Sequence, residues 1–217
     1  MQKRLSLILA DTKRSYSYLN ELILNKINIE NILIYSNSNK SKLFQKARKY
    51  RNKKKIIFVK EMNINSKKLE KKIKLFNSDY ILFSGYSAEI IKNQILMRKN
   101  LIHCHPGLLP KYRGSTVMYY SLILDKQIFV SIFKISKQID SGKLLYIKKF
   151  NAPSVLSKIE SEFDNKIRSN ALVNFILEKN KIYIKKKKTN NLTFYYISHP
   201  IIRNILLNPL KILLNKI

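Results

Sequence analysis

Leu5-Ser6-Leu7-Ile8-Leu9-Ala10, a helical pattern over 17–25 and a second apolar run, Asn31-Ile32-Leu33-Ile34-Tyr35, together decide the fold class. Both runs are short, continuous and rich in Leu and Ile, as strands covered on both faces are. Between them Leu19, Leu22 and Ile23 share one helical face. Strand, helix, strand at this spacing is a βαβ unit, whose strands run parallel. The rhythm continues outward with a basic helix over 42–50, a strand over 56–59, a helix over 66–76, a strand over 80–84, a helix over 88–97 and a strand over 101–105. The sequence therefore predicts an α/β fold built on a doubly wound, mostly parallel, Rossmann-like sheet. Further on it predicts a helix over 116–124, two antiparallel strands over 129–135 and 143–150, and an amphipathic helix over 158–178. A short strand at Tyr183-Ile184, the run Lys185 to Lys188, an aromatic strand from Phe194 and a helical stretch over 201–207 follow. Residues 1–180 are expected to form the main domain. Residues 181–217 are expected to form a C-terminal, largely helical extension that packs on the core or at a homodimer interface.

The 217 residues suit one large domain or a core with an appendage, and 45% hydrophobic content excludes wholesale disorder. Forty-three Lys and Arg against thirteen Asp and Glu give a net charge of +30, which on its face points to nucleic acid or another polyanion. The excess is mostly Lys, scattered over every segment, beside abundant Ile, Asn and Tyr and only four Gly. That is the habit of an A/T-rich genome, so a solvated surface is expected and no specific nucleic-acid partner. A single cysteine, Cys104, excludes an intramolecular disulfide framework and a thiolate-rich metal site. The first residues read as a strand and not as a signal peptide, and no run is long enough to span a membrane. A cytoplasmic location is the expectation.

All four glycines, at 85, 107, 114 and 142, fall in one window with Cys104, His103 and His105. In a chain that avoids glycine, such positions are expected to need positive φ or close backbone approach. His103 and His105 stand at i and i+2 near the end of a parallel strand, so both imidazoles face one side and Cys104 faces the core. Ligands in doubly wound sheets sit beyond that strand end.

The stretch His105-Pro106-Gly107-Leu108-Leu109-Pro110-Lys111-Tyr112-Arg113-Gly114-Ser115, with Asp140-Ser141-Gly142 beyond it, resembles the folate-dependent formyltransferase family. That family typically reads Asn-x-His-(Pro/Gly)-Ser-Leu-Leu-Pro-x-(Tyr/Phe/Trp)-Arg-Gly, then an Asp-x-Gly turn. The close resemblance covers about residues 79–150. It implies the family's Rossmann-like fold and formyl transfer from 10-formyltetrahydrofolate to a primary amine without a metal, with His105 and Asp140 catalytic and His103 in the slot usually held by Asn. A second departure puts Gly107 in the Ser slot. By the same resemblance Gly107, Leu108, Leu109 and Pro110 are expected against the folate, and Arg113, Gly114 and Ser115 on the substrate side. Gly85 and Tyr86 are expected to add a wall to the folate pocket. An imidazole shuttles protons near neutral pH, a carboxylate stabilises the imidazolium, and a neutral imidazole N–H can serve an oxyanion.

Among members of the family, a methionyl-tRNA enzyme normally carries a further C-terminal domain, for which too few residues are expected here. A glycinamide ribonucleotide enzyme normally has a glycine-rich loop after its first strand, where this chain reads Ala10-Asp11-Thr12-Lys13-Arg14. A small-molecule amine remains, with nucleotide-linked amino sugars foremost. The rival readings are a folate-binding pseudoenzyme, a metal site built on His103 and His105, and a basic nucleic-acid module.

Overall fold

The computed structural model describes residues 3–50, 55–153, 159–178, 194–195 and 197–207. Strands β1 (Leu5–Ala10), β2 (Ile29–Ser36), β3 (Lys55–Lys60), β4 (Tyr80–Ser84) and β5 (Leu101–His105) alternate with helices α1 (Lys13–Leu24), α2 (Lys42–Lys49), α3 (Lys67–Ile73) and α4 (Gln94–Met97). Then come β6 (Arg113–Gly114), α5 (Val117–Asp125), β7 (Ile128–Lys134), β8 (Leu144–Phe150), α6 (Asp164–Ile176), β9 (Phe194–Tyr195) and α7 (Pro200–Leu207). Seven strands form one sheet in the order β3-β2-β1-β4-β5-β7-β8. The pairs from β3 to β5 are parallel, while β5–β7 and β7–β8 are antiparallel.

Alternation along each strand feeds two cores. Leu5, Leu7 and Leu9 of β1, with Ile32 and Ile34 of β2, pack under α1, α2 and α6. Ile8, Ala10, Leu33 and Tyr35 pack on the other face with Leu69 and Ile73 of α3. Thr12, Ser41 and Ser66 begin the first three helices, each side chain accepting a backbone N–H from three residues on. Thr12 lets α1 start earlier than its apolar stripe indicates.

The helix expected over 88–97 is reduced to α4, one turn at its end. Glu89 explains the difference. Its carboxylate accepts the Tyr86 N–H at 2.9 Å, the Ile64 N–H at 2.8 Å and the Tyr35 hydroxyl, and Ala88 adopts a φ of 59°. The chain is wound around a side chain, which no helix permits. The helix expected over 158–178 begins with a π-helical turn, Ile159–Phe163, before α6. The strand expected at Tyr183-Ile184 and the run Lys185 to Lys188 lie outside the described residues.

Beyond α6 the described chain returns to β6, in a second sheet of two strands. β9 pairs parallel with β6, Arg113 opposite Phe194 and Gly114 opposite Tyr195. The Ser198 N–H donates to Thr116 Oγ1 at 2.7 Å, and Arg203 on α7 pairs with Glu160 at 3.3 Å. No helix among the described residues is long and apolar enough to cross a membrane.

Candidate active site

The connections reverse between β1 and β4, and a cavity of about 490 Å³ opens at their carboxyl ends and that of β5. On β5, Ile102 and Cys104 enter the core under α6, so His103 and His105 take the opposite face, and both line this cavity. Phe133 of β7 stands opposite His103 in register and meets both imidazoles edge-on, with ring centroids 6.0 and 6.5 Å away. Gly85, Tyr86, Gly114, Ser115 and Asp140 also line the cavity.

His105 is 3% exposed. Its Nε2 lies 2.7 Å from the Tyr112 carbonyl oxygen. A carbonyl only accepts, so Nε2 carries the proton and, in the neutral ring, the lone pair is on Nδ1. Nδ1 faces Asp140 Oδ2 at 3.5 Å. Burial lowers the imidazole's pKa against the opposing pull of Asp140 and the Tyr112 carbonyl. The arrangement is a neutral base whose free nitrogen looks at a carboxylate, so a proton arriving at Nδ1 meets a fixed counter-charge.

Asp140 is held for that role. It sits at a φ of 50°, a left-handed conformation that Asp tolerates better than most side chains. Its Oδ2 accepts the Gly114 N–H at 2.9 Å. Gly114 has a φ of 101°, which requires glycine, and a Cβ at Gly142 would overlap the Lys134 carbonyl.

His103 differs from the donor its sequence position implies. Its Nδ1 is 3.2 Å from the Phe83 carbonyl oxygen and therefore donates to it. Burial first, then the Arg168 and Arg14 guanidinia, hold the imidazole well below its ordinary pKa. A neutral His103 keeps only the acceptor Nε2, with no N–H left for an oxyanion.

Gly107, Leu108, Leu109, Pro110 and Arg113 do not line the cavity. Gly107 and Leu109 support it from behind. Ser131 Oγ accepts the Leu109 N–H at 3.0 Å and donates to the Gly107 carbonyl at 2.6 Å, pinning the loop to β7. A Cβ at Gly107 would come within 3.0 Å of His105 Nε2 and 3.1 Å of the Tyr112 oxygen, wedging into their hydrogen bond. Pro106 alone of that loop's first turn reaches the cavity.

Two arginines on the cavity wall escape sequence reasoning. Arg14 follows β1 and donates Nη2–H to the Gly85 carbonyl at 2.7 Å. Arg168 comes from α6, its Nε on Asp164 at 2.6 Å and its Nη1 on the Cys104 carbonyl at 3.0 Å. Ile197, from the C-terminal segment, completes the rim. Among the described residues no three His, Cys, Asp or Glu side chains gather as a metal site would require.

Comparison with known proteins bears on the family and the fold. A family model described as formyl transferase matches residues 2–174. A methionyl-tRNA formyltransferase of Finegoldia magna is 30% identical over 132 residues, 59% of this chain and 42% of the relative. One from Buchnera aphidicola is 29% identical over 142 residues, covering 59% and 43%. The chain thus spans less than half the length of these curated relatives. Among solved structures, a Shewanella sugar N-formyltransferase superposes with a TM-score of 0.55 at 18% identity, covering 90% of this chain and 77% of that one. A phosphoribosylglycinamide formyltransferase from Campylobacter jejuni gives a TM-score of 0.60 at 20% identity, covering 81% and 96%. With four-fifths of its length matched by the family model and its sheet shared with these structures, the chain belongs to the formyl transferase family.

Proposed function

We propose that the protein transfers a formyl group from 10-formyltetrahydrofolate to the primary amine of a small molecule, with a nucleotide-linked amino sugar as the leading candidate. The observation that carries this reading is His105, tied through Nε2 to Tyr112 and facing Asp140 through Nδ1 at 3.5 Å inside the cavity. A folate fits the walls: Phe83, Ile91, Met97, Phe133 and Ile135 offer apolar surface to a flat ring system, in a volume usual for small-molecule sites. When bound, the folate supplies the formyl carbon that the amine attacks.

The chain's own residues handle the proton. His105 takes it at Nδ1 as the amine attacks, since Nε2 is already occupied, Asp140 stabilises the resulting imidazolium, and the imidazolium gives the proton to the departing folate nitrogen as that nitrogen's bond to the formyl carbon breaks. The Tyr112 carbonyl keeps the ring from turning. Gly114 and Ser115 form the substrate side of the cavity, where Gly114 also aims Asp140 through its N–H. Gly85 and Tyr86 form a folate-side wall, and the loop Gly107 to Pro110 supports the site through Ser131 and His105.

The second reading, methionyl-tRNA as acceptor, is favoured by the curated relatives. Purified protein with 10-formyltetrahydrofolate and, separately, a nucleotide-linked amino sugar, glycinamide ribonucleotide or methionyl-tRNA distinguishes them by tetrahydrofolate release and formylated product. Formylation of the amino sugar is the expected result. Formylation of methionyl-tRNA alone moves the function to the second reading, and no product from any acceptor overturns both.

A further inference from the structure

The described residues beyond α6 grip the loop between β6 and α5 at several points. β9 pairs with β6, Gly114 opposite Tyr195, so the residue whose N–H aims Asp140 is also held by this later segment. Two residues on, Thr116 adopts a left-handed φ of 50° at the start of α5, unusual for a β-branched side chain. Its hydroxyl does not cap that helix and instead accepts the Ser198 N–H at 2.7 Å. Ser198 is buried, and its Oγ accepts the Arg203 Nε–H at 2.9 Å. Arg203 in turn pairs with Glu160 at 3.3 Å and stands over the Tyr119 ring at 5.5 Å, which ties the segment to α5 and to the turn before α6. Beside these anchors Ile197 is 69% exposed and lines the cavity. Ile139, 49% exposed and next to Asp140, lines the same cavity. A scattered exposed isoleucine is ordinary, but this one is fixed at a cavity mouth by its neighbours' hydrogen bonds. A molecule seated in the cavity covers apolar surface that the protein alone leaves to water.

From this placement we infer that Ile197 is a residue that selects the acceptor, held at the cavity rim through Thr116, Ser198 and Arg203, where it takes an apolar face of the amine-bearing molecule. The inference rests on the formyl-transfer reading for the identity of that molecule, and on the anchored segment for the position of the side chain. The acceptor is the better occupant than the folate, because the segment is stitched to Gly114 and Thr116, on either side of Ser115. The apolar wall that suits a flat ring, Phe83, Ile91 and Met97, comes instead from β4 and the residues after it. Isoleucine offers no hydrogen bond, so an acceptor that presents a polar or charged group here loses water without a replacement partner. Ile197 thereby favours acceptors with apolar surface near the amine.

The chain has no tryptophan, so Ile197→Trp sets a single fluorophore at the rim of the full-length protein. Without any ligand, adding Thr116→Val removes the hydroxyl that accepts the Ser198 N–H while keeping the branched shape. The fluorophore should then become more open to acrylamide quenching, and the melt of each variant reports whether it is folded. Unaltered quenching overturns the anchored segment as the device that holds the side chain. A nucleotide-linked amino sugar, glycinamide ribonucleotide and methionyl-tRNA are then offered in turn with 5-formyltetrahydrofolate. The acceptor that is formylated in the turnover assay should shift the emission to the blue, and 5-formyltetrahydrofolate alone should leave it nearly unchanged. In steady state Ile197→Ser should raise KM for that acceptor about fivefold or more, the loss of part of an isoleucine's apolar contact. It should lower kcat less and leave KM for 10-formyltetrahydrofolate unchanged, while Ile197→Leu stays close to wild type. An unchanged acceptor KM in Ile197→Ser overturns the selecting role, and a raised folate KM in its place assigns the contact to the folate. Absence of product from all three acceptors strikes the formyl-transfer reading and the selecting role with it, while the acrylamide result still decides whether the segment is anchored.

Discussion

Asp140→Asn isolates the charge that faces His105. Asn tolerates the φ of 50° and keeps an oxygen for the Gly114 N–H, so the loop geometry is preserved while the negative charge is removed. Opposite unit charges 3.5 Å apart attract by about 5 kcal/mol at an effective dielectric near 20. With the proton about half transferred in the transition state, roughly 2–3 kcal/mol of that attraction is at stake, a fall in kcat of roughly 30- to 150-fold. The pH profile carries a second signature. Neutral His105 is the active form, and Asp140 raises its pKa against burial. Removing the charge lowers that pKa further, so the acid limb of kcat/KM moves to lower pH even as the plateau falls. Initial rates of tetrahydrofolate release, measured across the acid limb, read both effects. A variant within about threefold of wild type, or an acid limb displaced to higher pH, refutes the assignment.

Three further outcomes follow from the same geometry. His105 is buried and His103 half-buried, both with pKa values below the ordinary 6.5, so the unfolded chain binds protons that the folded one refuses. Stability therefore falls as pH drops below about 6.5, by at most about 1.4 kcal/mol per pH unit for each histidine, and His103→Asn should roughly halve the slope of the denaturation free energy against pH. Gly107→Ala should push His105 off the Tyr112 carbonyl, lowering kcat by about tenfold or more with folate affinity retained. A larger loss of folate affinity than of kcat would show that Gly107 contacts the folate directly. Glu89→Gln removes the charge around which the 85–91 segment is wound and should cost about 1–3 kcal/mol in denaturant unfolding, whereas an unchanged midpoint would show that the carboxylate is not what orders that wall.

What the sequence made legible was local. The strands of β1 to β5 are continuous apolar runs because helices cover both faces, and the pairing of His103 with His105 follows from a strand's period of two. The positions of the glycines signalled close approach, and Gly114 and Gly142 show both forms of it, a positive φ and a carbonyl where a Cβ would lie. What stayed hidden depends on long-range placement. Nothing in 88–97 announces that Glu89 turns inward to meet Tyr35 and Ile64, because its partners lie 54 and 25 residues away. The direction of the His103 N–H is set by a carbonyl on the neighbouring strand. Arg14 and Arg168 are two cations among forty-three, and only the packing of α1 and α6 at one end of the sheet brings both to the cavity.

The central claim, that His105 moves the proton of a formyl transfer, is tested most directly by single-turnover reaction of 10-formyltetrahydrofolate with the accepted amine in wild type and His105→Ala, followed by tetrahydrofolate and N-formyl product together. The account predicts equal amounts of the two products in the wild type. In the variant it predicts a rate lower by about 10² to 10⁴, with folate affinity intact. Comparable rates in the two proteins, or tetrahydrofolate released without a formylated amine, would contradict it.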